Sequence, residues 1–150
     1  MIYTDLTKKA MKLCFEKHKE QKDKTGLPYV FHPFYLATQM DDEYSTVCAL
    51  LHDVVEDSDV SFDDLINDEY PIEIIDALKL LTHNSDDDYF DYVRKVCTNK
   101  LALKVKIADI KHNSDLSRLD VIDEWALKRQ EKYKKALKLI KELTGIDTGE

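Results

Sequence analysis

His52 and Asp53 stand side by side in the run Ala49-Leu50-Leu51-His52-Asp53-Val54-Val55-Glu56-Asp57, and a second acidic pair follows one helical turn later. An imidazole beside a carboxylate is a nitrogen and oxygen donor set of the kind that holds a divalent cation. Packing gives no reason to place four ionisable groups in six positions of a segment that starts apolar, because each one buried without a partner costs several kcal/mol. Read as one continuous helix, the segment puts His52 with Glu56 and Asp53 with Asp57 on two neighbouring stripes that can face one cavity. The plainer alternative is an amphipathic helix whose polar stripe begins at His52 and faces water.

Further donors lie elsewhere in the chain. Asp109 interrupts an apolar stretch made of Leu101, Leu103, Val105, Ile107, Ala108 and Ile110, and Asn113 follows it four residues later on the same helical face. His32 sits just before Pro33, in the segment where Gly26, Pro28 and Pro33 crowd together. Two histidines and two aspartates from three elements suit Mn²⁺, Fe²⁺, Co²⁺ or Zn²⁺ in an open site that keeps positions for water, and the thiolates of structural zinc are missing. Each donor also has a structural alternative: His32 as a cap of the helix at Pro33, Asp109 as an ion-pair partner of Lys106 or Lys111, Asn113 as a helix C-cap. His18 and His112 are further candidates for the neighbourhood of the site.

The elements that must bring these groups together read as helices. Leu6, Ala10, Leu13 and Cys14 keep helical spacing and predict an opening helix that fades near Lys22. Pro33 suits the first turn of a short helix carrying Phe34, Ala37 and Met40. A third helix is expected from about Asp42 to Ser58, and a brief one after Ser61, with Asp64 completing its cap. Pro71 opens a helix with Ile74, Ile75, Leu78 and Leu81 on its apolar side. Asp86, Asp87 and Asp88 favour a helix start before Tyr89 and Tyr92, where an aromatic lid or core is expected. Asn99 precedes the apolar helix of Asp109, expected to run through the centre, and the last helix extends from about Asp123 to Leu143 and stops at Gly145. No alternating strand pattern of convincing length competes. The expectation is an all-α bundle of about seven to eight helices forming one domain over residues 1–150.

Composition narrows the functions. A formal charge of −8 opposes binding to a polynucleotide, which depends on clustered Lys and Arg, whereas a few local cations or a bound metal ion can still hold a small phosphorylated ligand. No apolar run approaches a membrane span, and Met1-Ile2-Tyr3-Thr4-Asp5 lacks the order of a signal peptide, so a cytoplasmic location is expected. Cys14, Cys48 and Cys97 are too widely spaced to suggest a thiolate metal site or a disulfide framework. The sequence leaves the oligomeric state open.

Three blocks carry a resemblance: Thr25-Gly26-Leu27-Pro28-Tyr29-Val30-Phe31-His32-Pro33, then the block around His52-Asp53, then Val105-Lys106-Ile107-Ala108-Asp109-Ile110-Lys111-His112-Asn113. In order and spacing the chain resembles the HD-domain phosphohydrolases, and among them the alarmone hydrolases: the hydrolase half of Rel/Spo enzymes and the small stand-alone Mesh-like hydrolases. The resemblance implies metal ligation by His32, His52, Asp53 and Asp109, with Mn²⁺ as the favoured ion and other divalent transition metals as alternatives. It implies that Glu56 and Asp57 handle the attacking water, that Lys24, Thr25 and Tyr29 line a nucleotide pocket, and that Asn113 contacts the sugar-phosphate region. Arg129 and Tyr133 correspond to substrate contacts from the last helix. The implied reaction is hydrolysis of the 3′-pyrophosphate of guanosine tetra- or pentaphosphate, without synthesis.

The chain departs from the family pattern near the substrate. Asp23 stands where an arginine able to stack on guanine is usual, Thr82-His83 replaces a threonine-lysine pair, and Ser114-Asp115-Leu116 follows Asn113. Two alternatives therefore stay beside the main reading: an enzyme for another nucleotide phosphate, such as the 2′-phosphate of NADPH, and a nucleotide-binding domain without catalysis.

Overall fold

Helix α3 (Glu43–Leu51) is the element the other helices are built around, packing against α1 (Asp5–His18), α2 (Phe31–Thr38), α6 (Ile72–Leu81) and α8 (Lys100–Asn113). Every α3 residue from Ser45 to Leu51 is buried, so it can be apolar all round with no outward polar face. The computed structural model describes residues 1–149. The remaining helices are α4 (Val54–Asp57), α5 (Phe62–Asn67), α7 (Tyr89–Val96) and α9 (Glu124–Thr144), with a 3₁₀ turn at Leu116–Arg118. Among the described residues there is no strand beyond a single bridge between Lys22 and Pro28, so the all-α expectation holds. No helix among them is long and apolar enough to cross a membrane.

Most helix starts follow from short polar side chains at the N-cap that accept from otherwise unpaired backbone N–H groups. Ser61 and Asp64 form the reciprocal cap of α5, Asp88 accepts from Phe90 and Asp91, Asn99 from Ala102, and Asp123 from Ala126. Helix α9 ends where Gly145 takes φ 73°, a left-handed conformation that other residues adopt only with strain.

Two expectations need correction. Helix α1 stops at His18 rather than near Lys22, because the chain folds back on itself: Asp23 N–H donates to Leu27 O at 2.8 Å and Tyr29 N–H to Gln21 O at 2.8 Å. The expected helix from Asp42 to Ser58 is broken in two. His52 closes α3 in helical conformation, Asp53 moves to φ −110°, ψ 0°, and α4 restarts at Val54. That break has a use, since neighbouring residues of an unbroken helix point about 100° apart, yet His52 Nε2 and Asp53 Oδ2 lie 3.1 Å from each other.

The core around α3 is closed, with Leu50 fully buried. Leu50→Ala is expected to lower the unfolding free energy by about 2–5 kcal/mol through lost burial and a residual cavity. Urea denaturation read by far-UV circular dichroism measures it, and a change below about 1 kcal/mol would mean the core relaxes around α3.

Candidate metal centre

Asp109 is the hub of the site. It lies on α8 with only 6% of its surface exposed, and each of its carboxylate oxygens is engaged. Oδ2 takes a bond from Lys106 Nζ at 2.8 Å, one turn back on the same helix. Oδ1 meets His32 Nε2 at 2.9 Å, accepts from Asn113 Nδ2 at 3.0 Å, and lies 3.6 Å from His52 Nε2. Burial opposes ionisation of Asp109, but Lys106 and the two histidines hold its carboxyl well below the ordinary range. In return Asp109 keeps the almost entirely enclosed Lys106 charged against the cost of its own burial.

The histidines arrive from opposite sides. His32 is set by the first turn of α2, and its Nδ1 meets His112 Nδ1 at 2.7 Å while the two rings stack 4.9 Å apart. Burial and the nearby Arg118 and His32 push His112 down to about 4, so near neutral pH it is uncharged. His52 is fixed by its Nδ1–H, which donates to Ala49 O at 2.7 Å. Its Nε2 is buried and makes no aligned hydrogen bond, although carboxylate oxygens of Asp53 and Asp109 stand 3.1 and 3.6 Å away. Asp53 also accepts from the Tyr29 hydroxyl, and its pKa lies below the ordinary carboxylate range because His52 and Tyr29 outweigh its burial.

This arrangement fits a divalent cation. With Nδ1–H committed to Ala49, a neutral His52 points a lone pair at two carboxylates, which is repulsive unless a positive charge lies between them. Either Nε2 takes a proton, and burial notwithstanding the two carboxylates raise the His52 pKa well above its usual value, or a metal ion takes its place. His32, His52 and Asp109 each offer a donor atom, all within 4.8 Å of one another. Asp53 joins the edge of this group through its contact with His52.

Two cavities border the cluster. One, of about 270 Å³, is lined by His52, Asp53, Glu56 and Asp109 together with Lys106, Lys132, His83 and the phenols of Tyr89, Tyr92 and Tyr133. Glu56 is exposed at its wall, and partial desolvation together with Asp53 and Asp57 pushes its pKa to about 7. The other cavity, of about 430 Å³, reaches His32 from the far side and is lined by Lys24, Thr25, Tyr29, Asn113, Arg118, Trp125 and Arg129 among others. Lys24 Nζ sits 3.4 Å from the centre of the Trp125 ring, and the Arg129 guanidinium lies 5.1 Å from the same ring. Four cations of this chamber, Lys22, Lys24, Arg118 and Arg129, give it a local positive character within an acidic protein.

The expected site residues are thus largely gathered. Arg129 and Tyr133 divide between the cavities and are joined by Arg129 Nε donating to Tyr133 Oη at 3.0 Å. Asp57 differs: it lines neither cavity and accepts from Gln21 Nε2 at 3.2 Å, as adjacent residues of α4 point about 100° apart. Asp23 has a local task, accepting from Thr25 N–H, Thr25 Oγ1 and Leu27 N–H, which fixes the loop that presents Lys24. Sequence reading missed Lys132, Arg118 and Trp125, and named Tyr89 only as part of an aromatic lid or core. Lys106 carried a usable signal, lying three residues before Asp109 on an apolar helix.

No family model matches the chain. It is 30% identical over 148 residues to guanosine-3′,5′-bis(diphosphate) 3′-pyrophosphohydrolase MESH1 of Danio rerio, covering 88% of this chain and 81% of that one. Against MESH1 of Drosophila melanogaster the identity is 28% over 139 residues, covering 78% and 72%. A guanosine-3′,5′-bis(diphosphate) 3′-pyrophosphohydrolase of Aquifex aeolicus is 28% identical over 142 residues, but the chain spans only 19% of that protein's length. A solved structure of a metazoan ortholog of SpoT that hydrolyzes ppGpp shares the fold, with a TM-score of 0.73 at 24% identity over 93% of this chain and 88% of that one. A helical shell closed on a His-Asp cluster defines a phosphohydrolase of the HD type. Within that class the chain belongs to the MESH1 family of guanosine-3′,5′-bis(diphosphate) 3′-pyrophosphohydrolases.

A divalent transition-metal ion added to chelator-treated protein is expected to stabilise it by about 2.7 kcal/mol at a hundredfold excess over Kd. Scanning calorimetry should show Tm rising to a plateau. A Tm indifferent to the ion would make the cluster an internal ion-pair network instead.

Proposed function

We propose that the protein hydrolyses the 3′-diphosphate of guanosine tetra- or pentaphosphate, giving GDP or GTP and pyrophosphate, with Mn²⁺ held by His32, His52, Asp53 and Asp109. The observation that carries this reading is the gathering of His32, His52 and Asp109, with Asp53 against His52, at a cluster that borders two cation-lined cavities. A cluster so placed suits a phosphorus atom with a nucleoside on one side and a phosphate on the other. When bound, the ion supplies positive charge that lowers the pKa of a water and neutralises phosphoryl oxygens.

The protein groups do the rest. Glu56 lies beside the cluster, and its raised pKa lets it take a proton near neutral pH. As the water oxygen bonds to the phosphorus next to O3′, its proton passes to Glu56; the P–O3′ bond breaks and O3′ leaves as a hydroxyl after taking a proton from solvent. Asp57 contributes at one remove, because its charge raises the proton affinity of Glu56. Tyr29 orients Asp53, and Asn113 orients Asp109. The nucleoside and its 5′-phosphates fit the larger chamber, where Lys24, Arg118 and Arg129 offset charge and Thr25 and Tyr29 form the wall. A free nucleotide substrate implies the cytoplasm as the place of work, and the unpaired Cys14, Cys48 and Cys97 agree with reducing surroundings.

One observation favours a second reading. Asp23 is committed to its own loop and leaves no arginine there to stack on guanine, so the phosphate arrangement could select the substrate more than the base. Guanosine tetraphosphate and NADPH assayed side by side with Mn²⁺, reading pyrophosphate against orthophosphate, separate the two. Pyrophosphate release from the former supports the main reading, and orthophosphate release from NADPH alone would replace it.

Asp53→Ala is expected to lose both metal and turnover. Glu56→Ala should retain metal and lose about 10²–10⁴-fold in kcat, the range of a general base. Equal loss of metal in both variants, measured by elemental analysis after gel filtration, would make Glu56 a ligand rather than a base.

A further inference from the structure

Of the two lysines that line the smaller cavity, one has no carboxylate partner. Lys106 is spoken for by Asp109. Lys132, reaching in from α9, makes no ion pair: its ammonium rests on two aromatic faces, 4.6 Å from the ring centre of Tyr89 and 5.1 Å from that of Tyr133. Burial, Arg129 and Lys106 all work against its charge and lower its pKa. The same wall carries a second unanswered group, since the Tyr89 hydroxyl is buried and has no hydrogen-bond partner. An ammonium without a carboxylate and a hydroxyl without a partner, on one wall of a chamber whose floor is the His-Asp cluster, are each costly alone. An anion placed between them would satisfy both.

We propose that Lys132 and the Tyr89 hydroxyl form the binding subsite for the diphosphate that is cut from the nucleotide, so that the smaller cavity holds pyrophosphate while the larger one holds the nucleoside. This rests on the hydrolase reading above and adds the direction in which the substrate lies across the metal centre. The volumes agree with it: about 270 Å³ on the Lys132 side against about 430 Å³ on the side of Trp125. So does the lining, because the smaller chamber's phenols are packed against lysines and against each other, with Tyr89 6.0 Å from Tyr92 and 6.3 Å from Tyr133, and Tyr92 and Tyr133 are buried. Trp125 in the larger chamber stays 47% exposed even with Lys24 and Arg129 against its ring, an aromatic surface a base can reach.

Lys132→Met keeps the aliphatic stem on the tyrosine rings and removes the charge; Lys132→Arg keeps the charge. Inorganic pyrophosphate and, separately, GDP are titrated calorimetrically into each Mn²⁺-loaded protein. Lys132→Met is expected to weaken pyrophosphate by about tenfold or more, the worth of one charged hydrogen bond. GDP should bind as to the wild type, Lys132→Arg should recover most of the loss, and the Tm of Lys132→Met should stay level or rise because an unpaired cation has been removed. Unchanged pyrophosphate binding in Lys132→Met, or an equal loss of GDP, overturns the subsite and leaves the hydrolase reading intact. Lys132-dependent pyrophosphate binding by a wild-type protein that cleaves no nucleotide 3′-diphosphate overturns the hydrolase reading instead.

Discussion

A carboxylate buried on a central helix is the constraint from which the rest of this structure follows. Asp109 is enclosed on α8, where its charge would be prohibitively costly alone. Lys106 compensates it along the helix, and His32, His52 and Asn113 compensate it across the interior. To deliver those partners, α2 must place His32 within its first turn, and α3 must end at His52 instead of continuing. The fold-back after α1 must also bring Tyr29 over Asp53. The bundle can be described as the means of holding one carboxylate, two imidazoles and a second carboxylate within reach of one cation.

The same cluster partitions the charge of the molecule. The protein is acidic as a whole, yet the chambers on either side of the cluster are lined by lysines and arginines. Their order is not symmetrical. One side presents Trp125 between two cations beside the loop that Asp23 fixes, and the other presents phenols and ammonium groups around Glu56. An indole between two cations on one side of the cluster and phenols with ammonium groups on the other make the two chambers chemically distinct.

Much of this was legible in the sequence because it is local. The caps at Ser61, Asp88, Asn99 and Asp123 and the stop at Gly145 are side-chain to backbone interactions within a few residues, and the structure has them where the pattern put them. His32, His52, Asp53 and Asp109 could be picked out as charges or imidazoles in places that packing alone does not explain. The break at Asp53 was not legible: Val54 and Val55 continue the helical period, with no Gly or Pro to mark an end. Nor was the contact of Asp57 with Gln21, which comes from the fold-back after α1. Lys132 was illegible for another reason, since α7 and α9 face each other only in the packed state and nothing in α9 alone distinguishes a lining lysine from a solvated one.

The central claim is that one divalent ion joins these side chains, and it is tested most directly by anomalous diffraction from crystals of Mn²⁺-loaded protein. The account predicts a single strong peak bonded to His32 Nε2, His52 Nε2 and Asp109, with Asp53 turned from His52 onto the ion. Absence of a peak there, with His52 still paired to Asp53 and His32 to Asp109 as in the metal-free arrangement, would contradict it.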